Sequence, residues 1–133
     1  MPYTYEGKDW KNQTDGSFDS LDFGANDLEG ITTNGSDFWV LDDTDEEVYH
    51  LYANGSLIDQ FDVDAISGPG VSNTWTSITT NGSDLWIGEN GDDWIYHTDL
   101  LGNNYTGGGS DGFSSGALGQ VATQGITTNG RDF

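Results

Sequence analysis

Short apolar segments alternate with polar turns along most of the chain. Residues 31–33, 37–41 and 48–52 are rich in β-branched and aromatic side chains, and residues 57–63 have the same character. Such segments predict β-strands, and the apolar run at 37–41 is typical of a strand buried on both faces. Polar turn sequences separate these segments, and none has the sustained period of a capped helix. The pattern therefore predicts an all-β chain.

The predicted strands belong to an internal repeat. The 20 residues at 31–50 recur at 78–97, and eleven of the twenty positions are identical. The motif starts a third time at Ile126, as ITTNGRDF. The first two copies start 47 residues apart (78 minus 31), which is the usual length of one propeller blade. The repeat predicts a β-propeller with four-stranded antiparallel blades of about 47 residues.

This period divides the chain into four predicted parts. Residues 1–30 would form the outer strands of a partial blade, 31–77 and 78–125 two blades, and 126–133 the inner strand of a further blade. The 133 residues hold about 2.8 blades, whereas a propeller closes with roughly four to eight. We expect partners of one of two kinds. Either other copies of the chain join it head to tail in a six-blade ring, or further blades belong to a longer polypeptide.

Two turn sequences lead to local predictions. The sequence FDSLDF at 18–23 follows an Asp-Gly-Ser turn, as LIDQFDV follows Asn-Gly-Ser at 54–56, so we expect 18–23 to form an outer strand. Asn34-Gly35 is the strongest short hairpin signal and predicts a type I′ turn with positive φ at both residues. The same pair recurs in the copies at Asn81 and Asn129.

The charge balance is extreme, with 23 acidic against 3 basic residues and a net charge of −20. We weigh three interpretations: very salty surroundings, divalent-cation binding, and an anionic surface that repels nucleic acid and lipid. Concentrated salt is favoured, because it screens the repulsion between carboxylates that are spread through every repeat. With only Lys8, Lys11 and Arg131 as basic residues, binding to a nucleic-acid backbone is not expected.

The sequence also limits the cellular setting. It contains no cysteine, which excludes disulfides, thiolate metal sites and cysteine nucleophiles. The first ten residues have no apolar core of a secretory signal, and no run of about 18 apolar residues predicts membrane insertion. We expect an intracellular protein or, preferably, a component of a virion or extracellular surface assembly. An exported protein whose signal peptide has been removed is the remaining alternative.

The densest group of carboxylates lies in the turn at 42–47, DDTDEE. Calcium takes six to eight oxygen ligands from such groups, so Ca²⁺ is one interpretation. The turn lacks the glycine and the distal glutamate of an EF-hand loop, and its counterpart at 89–93 has fewer carboxylates. Asp and Asn are also common in turns for conformational reasons. We favour a structural turn and expect no cofactor.

Two histidines and two tryptophans occupy equivalent repeat positions. His50 matches His97, and Trp39 matches Trp86. Metal binding, acid–base chemistry or sugar stacking would be functional interpretations of these residues. Because every blade carries them, we favour a scaffold role: histidines on a strand face and tryptophans packed between blades.

Two long Gly- and Ser-rich connectors, 64–77 and 107–124, differ between the copies. Long loops often carry binding residues, although these could merely cross the face of a ring. The ligand-binding candidates come from these connectors, with Trp75 as the best exposed contact. They are Trp75, Asn73, Asp111 and Phe113. No nucleophile, zinc or phosphate-loop motif is present, so no catalytic residue is predicted.

Two units carry a family resemblance: GITTNGSDFWVLDDTDEEVYHLYANGSLIDQFD and SITTNGSDLWIGENGDDWIYHTDLLGNNYTG. Over residues 12–133 the chain resembles the blades of NHL/YncE-like β-propellers. Such blades occur in extracellular binding proteins and in fibre or tail proteins of phages and archaeal viruses. The resemblance implies a blade architecture and no particular activity, and no ligand residue is carried over from it.

These observations predict a non-enzymatic structural or adhesive propeller module of a viral fibre, tail or surface assembly in a high-salt environment. The first alternative is a glycan- or protein-binding propeller with sites in the inter-blade loops. The second is a Ca²⁺-dependent hydrolase that forms only in a closed ring, by analogy with related propellers.

Overall fold

The computed structural model describes residues 18–67, 74–104, 112–115, 117 and 124–133. Eight strands form two four-stranded antiparallel sheets with the orders β1-β2-β3-β4 and β5-β6-β7-β8. We call them the first and second blade. The prediction of an all-β fold with four-stranded antiparallel blades is confirmed, and within the described ranges the two sheets do not close a ring. The strands are β1 (Leu28–Thr33), β2 (Asp37–Asp42), β3 (Glu47–Tyr52), β4 (Leu57–Asp62), β5 (Trp75–Thr80), β6 (Asp84–Glu89), β7 (Trp94–Asp99) and β8 (Gly112–Ser114).

The two blades share one hydrogen-bonding register. Trp39 lies opposite His50 in the first blade, and Trp86 lies opposite His97 in the second. Even the irregularity near the start of the inner strand recurs, after Leu28 in β1 and in β5 after Trp75. The sequence repeat is therefore a structural repeat, down to a β-bulge.

The fourth strands show where the repeat loses its fixed spacing. Phe61 in β4 pairs with Val48, and Phe113 in β8 pairs with Ile95. Phe113 is thus the counterpart of Phe61, although it lies 52 rather than 47 residues later (113 minus 61). The sequence assigned this fourth strand to the connector 107–124, because five extra residues interrupt the repeat there.

The predicted outer strand at 18–23 is wrong. Ser20–Asp22 form a 3₁₀ turn, in which the side chain of Asp19 accepts a hydrogen bond from the amide of Leu21 (3.0 Å). The described part of this segment, 18–27, contains no strand. An Asp that caps a turn satisfies the backbone locally, and this competes with sheet pairing.

Two apolar clusters fill the spaces beside the first blade. The larger lies between the blades and contains Trp39, Trp75 and the single helical turn α1, Asp64–Ser67, through Ile66. The smaller packs Phe23 and other residues of the 18–25 segment against the opposite face of the first blade. The prediction that Trp39 packs between blades is confirmed. The first sheet thus has apolar cover on both faces of its middle strands, as in stacked blades.

Candidate functional site

The three copies of the Thr-Asn-Gly loop meet around one polar depression. Its volume is about 290 Å³, and it lies where the inner strands turn into the second strands. The fold brings these loops together because the inner strands β1 and β5 lie side by side and the third copy follows them. The residues that line it are Thr33, Asn34, Thr80, Asn81, Gly82, Thr128, Asn129 and Gly130.

Each loop is held by its own side chains. Asn34 Oδ1 accepts hydrogen bonds from the amides of Ser36 (3.0 Å) and Asp37 (2.9 Å). Thr33 Oγ1 accepts from the amide of Gly35 and donates to the carbonyl of Asp37. This is an Asx-type turn, in which the side chain replaces a backbone acceptor.

The predicted type I′ turn is therefore wrong. Among the described non-glycine residues only Glu46 and Asp93 have positive φ, whereas Gly35 has φ +99°. Asn34 keeps an ordinary backbone conformation, because its side chain rather than its dihedral angles makes the turn. The glycine alone supplies the left-handed residue.

The same bonds recur in the other two loops. Asn81 Oδ1 accepts from the amides of Ser83 and Asp84, both at 2.9 Å. In the third loop Asn129 Oδ1 accepts from the amides of Arg131 and Asp132, also at 2.9 Å. Three loops with the same hydrogen bonds thus line the depression.

The carboxylates that follow the first two loops face the histidines. Asp37 Oδ2 lies 3.1 Å from His50 Nε2, and the other ring nitrogen of His50 lies 3.1 Å from Asp59 Oδ1. In the second blade Asp84 Oδ2 lies 3.6 Å from His97 Nε2. His50 stacks on Trp39 with ring centroids 4.4 Å apart. These contacts agree with the predicted strand-face role of the histidines.

The acidic turn of the first blade uses its first carboxylate to bind backbone amides. Asp42 is fully buried, and Oδ2 accepts from the amides of Asn26 (2.6 Å) and Asp27 (2.8 Å), while Oδ1 accepts from that of Asp45 (2.8 Å). Burial raises its pKa, but these backbone hydrogen bonds outweigh burial, so the pKa lies below its usual value.

Glu89 has the equivalent place in the second blade. It is also fully buried and accepts from the amides of Gly91, Asp92 and Trp94. Both turns therefore use an acid as a structural cap, as the sequence predicted. Within the described ranges, no group of three or more His, Asp or Glu residues could hold a metal ion.

The acidic surroundings also act on the tyrosines behind these caps. Burial, followed by the nearby charge of Asp45, raises the pKa of Tyr49 to about 12. Burial, followed by the charge of Glu89, raises the pKa of Tyr96 to about 12. Both phenols stay protonated near neutral pH and serve as packing groups.

The predicted ligand-binding residues of the two connectors do not form one group in the structure. Trp75 is not an exposed contact: it begins β5, its side chain is 0% exposed, and its amide donates to Asp43 Oδ1 (2.6 Å). The repeat places Trp75 in the connector, because β5 starts three residues before the repeated Ile78. Asn73 and Asp111 lie outside the described residues.

Phe113 is partly buried in β8, and its ring centroid lies 6.0 Å from that of Phe133. Phe133 also meets Trp86, at 4.8 Å, whereas Trp75 packs with Tyr96, at 5.6 Å. Trp75 therefore belongs to the interface between the blades, and Phe113 to a different aromatic group. The structure gives no common site to the two predicted ligand residues.

The loop asparagines were missed as candidate site residues. The repeated Asn-Gly pairs at Asn34, Asn81 and Asn129 predict turns and give no sign of a binding site by themselves. The signal that could have found them was the same repetition, since equivalent loops of successive inner strands must come close together in a propeller.

Comparisons with known proteins assign the chain to no family. No protein-family model matches the chain, and no curated protein matches it significantly. The resemblance to NHL/YncE-like blades stays a prediction. In the described part of the chain, no helix is long and apolar enough to cross a membrane.

Proposed function

We propose that this chain is a non-enzymatic structural module whose blades associate with further blades of the same type. The observation that carries the proposal is the unequal burial of equivalent inner-strand residues. Ile78 in β5 is 4% exposed, whereas Ile31, its counterpart in β1, is 57% exposed. A large apolar side chain that one blade buries and the next exposes indicates a surface that a neighbour would cover.

The interface between the two blades indicates what such a neighbour would contribute. Ile78 packs directly on Gly30, where an added Cβ would lie 3.2 Å from the Ile78 side chain. Trp39 donates from Nε1 to the carbonyl of Leu100 in the second blade (3.3 Å). Apolar contact, close backbone approach and a few directed hydrogen bonds are what stacked blades need.

An aromatic ring over a glycine turn recurs at successive interfaces. Phe61 of β4 covers Gly102 in the second blade, and Phe18 covers Gly55 in the first. Phe113, the counterpart of Phe61 in β8, occupies the third equivalent position. It supports the presence of a next blade that would offer an equivalent turn.

The open side of β1 has the shape of an incomplete interface. A cleft of about 310 Å³ lies there, lined in part by Phe18, Phe23, Leu28 and Ile31. Leu28 is 46% exposed, whereas its counterpart Trp75 is fully buried. The inner strand of a preceding blade would fill this cleft as β1 fills the space beside β5.

The neighbour is either another copy of the chain or a further blade of a longer polypeptide. We place the resulting structural or adhesive assembly in a viral fibre, tail or other surface structure of a high-salt environment. The net charge of −20 supports the salt requirement, because at about 1 M salt the Debye length is only roughly 3 Å. The resemblance of the repeat supports the surface placement.

Native mass in concentrated salt tests the proposal. We expect the wild-type chain to associate, and Ile31→Asp to reduce association by placing a charge in the open cleft. Leu101→Asp is the matched control, since Leu101 is equally exposed (59%) but lies in a turn. Undiminished association of Ile31→Asp would contradict the proposed surface, and a monomeric wild-type chain would exclude other copies as the partner.

A further inference from the structure

We infer that the polar depression between the three Thr-Asn-Gly loops binds a neutral, oxygen-rich ligand of the saccharide class. The binding groups are the side-chain NH₂ groups of Asn34, Asn81 and Asn129. The inference is independent of blade association, because the described residues of one chain already form the depression.

The side-chain oxygen and nitrogen of each loop asparagine have different roles. In each loop Oδ1 is occupied by backbone amides, and no described residue accepts a hydrogen bond from the Nδ2 of Asn34, Asn81 or Asn129. Other asparagines use this group inside the fold: Asn26 Nδ2 donates to Asp45 (2.7 Å) and Asn103 Nδ2 to Asp99 (2.9 Å). Among the described residues, the three loops therefore leave their carboxamide donors available to a ligand in the depression that they line.

The donors are held in place before any ligand arrives. The Oδ1 hydrogen bonds fix each carboxamide, and the threonine hydroxyl bonded to the glycine amide fixes the loop around it. Gly35, Gly82 and Gly130 have φ between +94° and +100°, and a Cβ there would meet no atom within 4 Å, so the loops are open to solvent. Preorganised donors in an open depression lower the entropy lost on binding.

The charges of the residues that line the depression indicate which class of ligand it can bind. All its lining residues are neutral threonines, asparagines and glycines, although the whole chain has a net charge of −20. The overall field opposes an anion, and the lining offers no carboxylate to a cation. Sugar hydroxyls accept hydrogen bonds from carboxamides without a charge, and several of them span a surface of this size.

The triple variant Asn34→Asp, Asn81→Asp, Asn129→Asp tests the inference. Aspartate keeps the oxygen that closes each turn but removes the NH₂ donor, so the loops should fold normally. The matched control is Asn54→Asp, since Asn54 also closes a turn through Oδ1 (Ser56 amide, 3.0 Å) but does not line the depression. Circular dichroism and thermal unfolding in concentrated salt check that both variants fold.

Binding to ¹⁵N-labelled chain is followed in every variant through the backbone amide signals of Gly35, Gly82 and Gly130. In the wild type and in Asn54→Asp it is also followed through the side-chain NH₂ signals of the three loop asparagines. The probes are neutral oligosaccharides ending in glucose, galactose, mannose or N-acetylglucosamine, each at about 10 mM to detect millimolar dissociation constants. We expect the three loop NH₂ signals to shift, and the triple variant to bind at least about tenfold more weakly, with Asn54→Asp unchanged.

Three results would overturn the inference. The loop signals could stay unshifted with every neutral probe, or the folded triple variant could bind as tightly as the wild type. Tighter binding of galacturonate than of galactose would refute the neutral ligand class. A wild-type monomer that binds sugar would still support this inference while excluding association between copies.

Discussion

The inner strands β1 and β5 contain the same sequence motif in two different environments. Both contain the sequence ITT, share a β-bulge and pair with an equivalent second strand. Every residue of β5 is buried, whereas no residue of β1 is. The local sequence fixes the strand, its bulge and its loop, but burial depends on the neighbour across the blade face.

The starts of the two strands are held differently. The first residue of β5 is anchored by burial and by the hydrogen bond from its amide to Asp43. The segment before β1 is anchored by Asp42, whose carboxylate accepts from the amides of Asn26 and Asp27. Hydrogen bonds to one buried acid thus hold a strand that lacks apolar cover.

The largest expected effect comes from truncating the first residue of β5, and the first residue of β1 is the comparison. Trp75→Ala removes a fully buried indole between the blades and should lower the free energy of unfolding by ~3–5 kcal/mol. Leu28→Ala, at the half-exposed equivalent position, should change it by no more than about 0.5 kcal/mol. Denaturant unfolding in concentrated salt measures both, with each substitution made in the Ile31→Asp background so that association does not cover Leu28, and equal losses would contradict the open inner strand.

A smaller effect should identify the contacts that hold the two blades together. Gly102 and Gly82 both have positive φ, +83° and +100°, so alanine strains either turn by ~1–2 kcal/mol. Only at Gly102 would the added methyl also collide with the Phe61 ring of the first blade. We expect Gly102→Ala to cost a further ~1–3 kcal/mol through overpacking.

The same unfolding experiment compares the two glycine variants, and Phe61→Leu in the Gly102→Ala background relieves the collision. Equal stability of Gly102→Ala and Gly82→Ala would mean that Phe61 does not pack over the turn in solution. Recovery in the double variant would assign the extra loss to this one contact.

The sequence predicts the fold where the repeat is regular. Identical residues at a spacing of 47 locate three of the four strands in each blade, and the paired Trp39 and His50 follow from the same alignment. The prediction fails where the spacing of the repeat changes, or where a side chain bonds to the backbone in place of a neighbouring strand. Five extra residues moved β8 into the connector, and Asp19 closes a 3₁₀ turn where strand residues were expected.

The candidate site was harder to predict than the fold. Trp75 was assigned to an exposed connector because a single tryptophan outside the repeated motif gives no sign of the neighbouring blade that buries it. The depression requires three loops far apart in sequence to meet, and their hydrogen bonds explained each asparagine locally. Only the packing of successive inner strands shows that Asn34, Asn81 and Asn129 share one surface.

The last prediction concerns Asp42, the acid that anchors the segment before β1, and its effect depends on pH. Backbone hydrogen bonds hold the pKa of Asp42 below its usual value, so its contribution to stability is complete above about pH 4 and is lost as the pH falls through the lower folded pKa. Asp42→Asn should lower the free energy of unfolding by ~1–3 kcal/mol at pH 7, since an amide replaces a charged acceptor of several amides.

Neighbouring carboxyl groups give stability the opposite dependence on pH. The prediction therefore concerns the difference in unfolding free energy between the wild type and Asp42→Asn. A hydrogen bond with Asp64 raises the pKa of Glu46, and burial followed by the charge of Asp62 raises that of Glu47. Their stabilising contribution is present at low pH and is lost as the pH rises through their folded pKa values. Both groups remain in the variant, so subtracting its unfolding free energy from that of the wild type isolates Asp42. This difference should shrink as the pH falls below about 4, and a constant difference between about pH 7 and pH 3 would show that Asp42 acts through packing rather than charge.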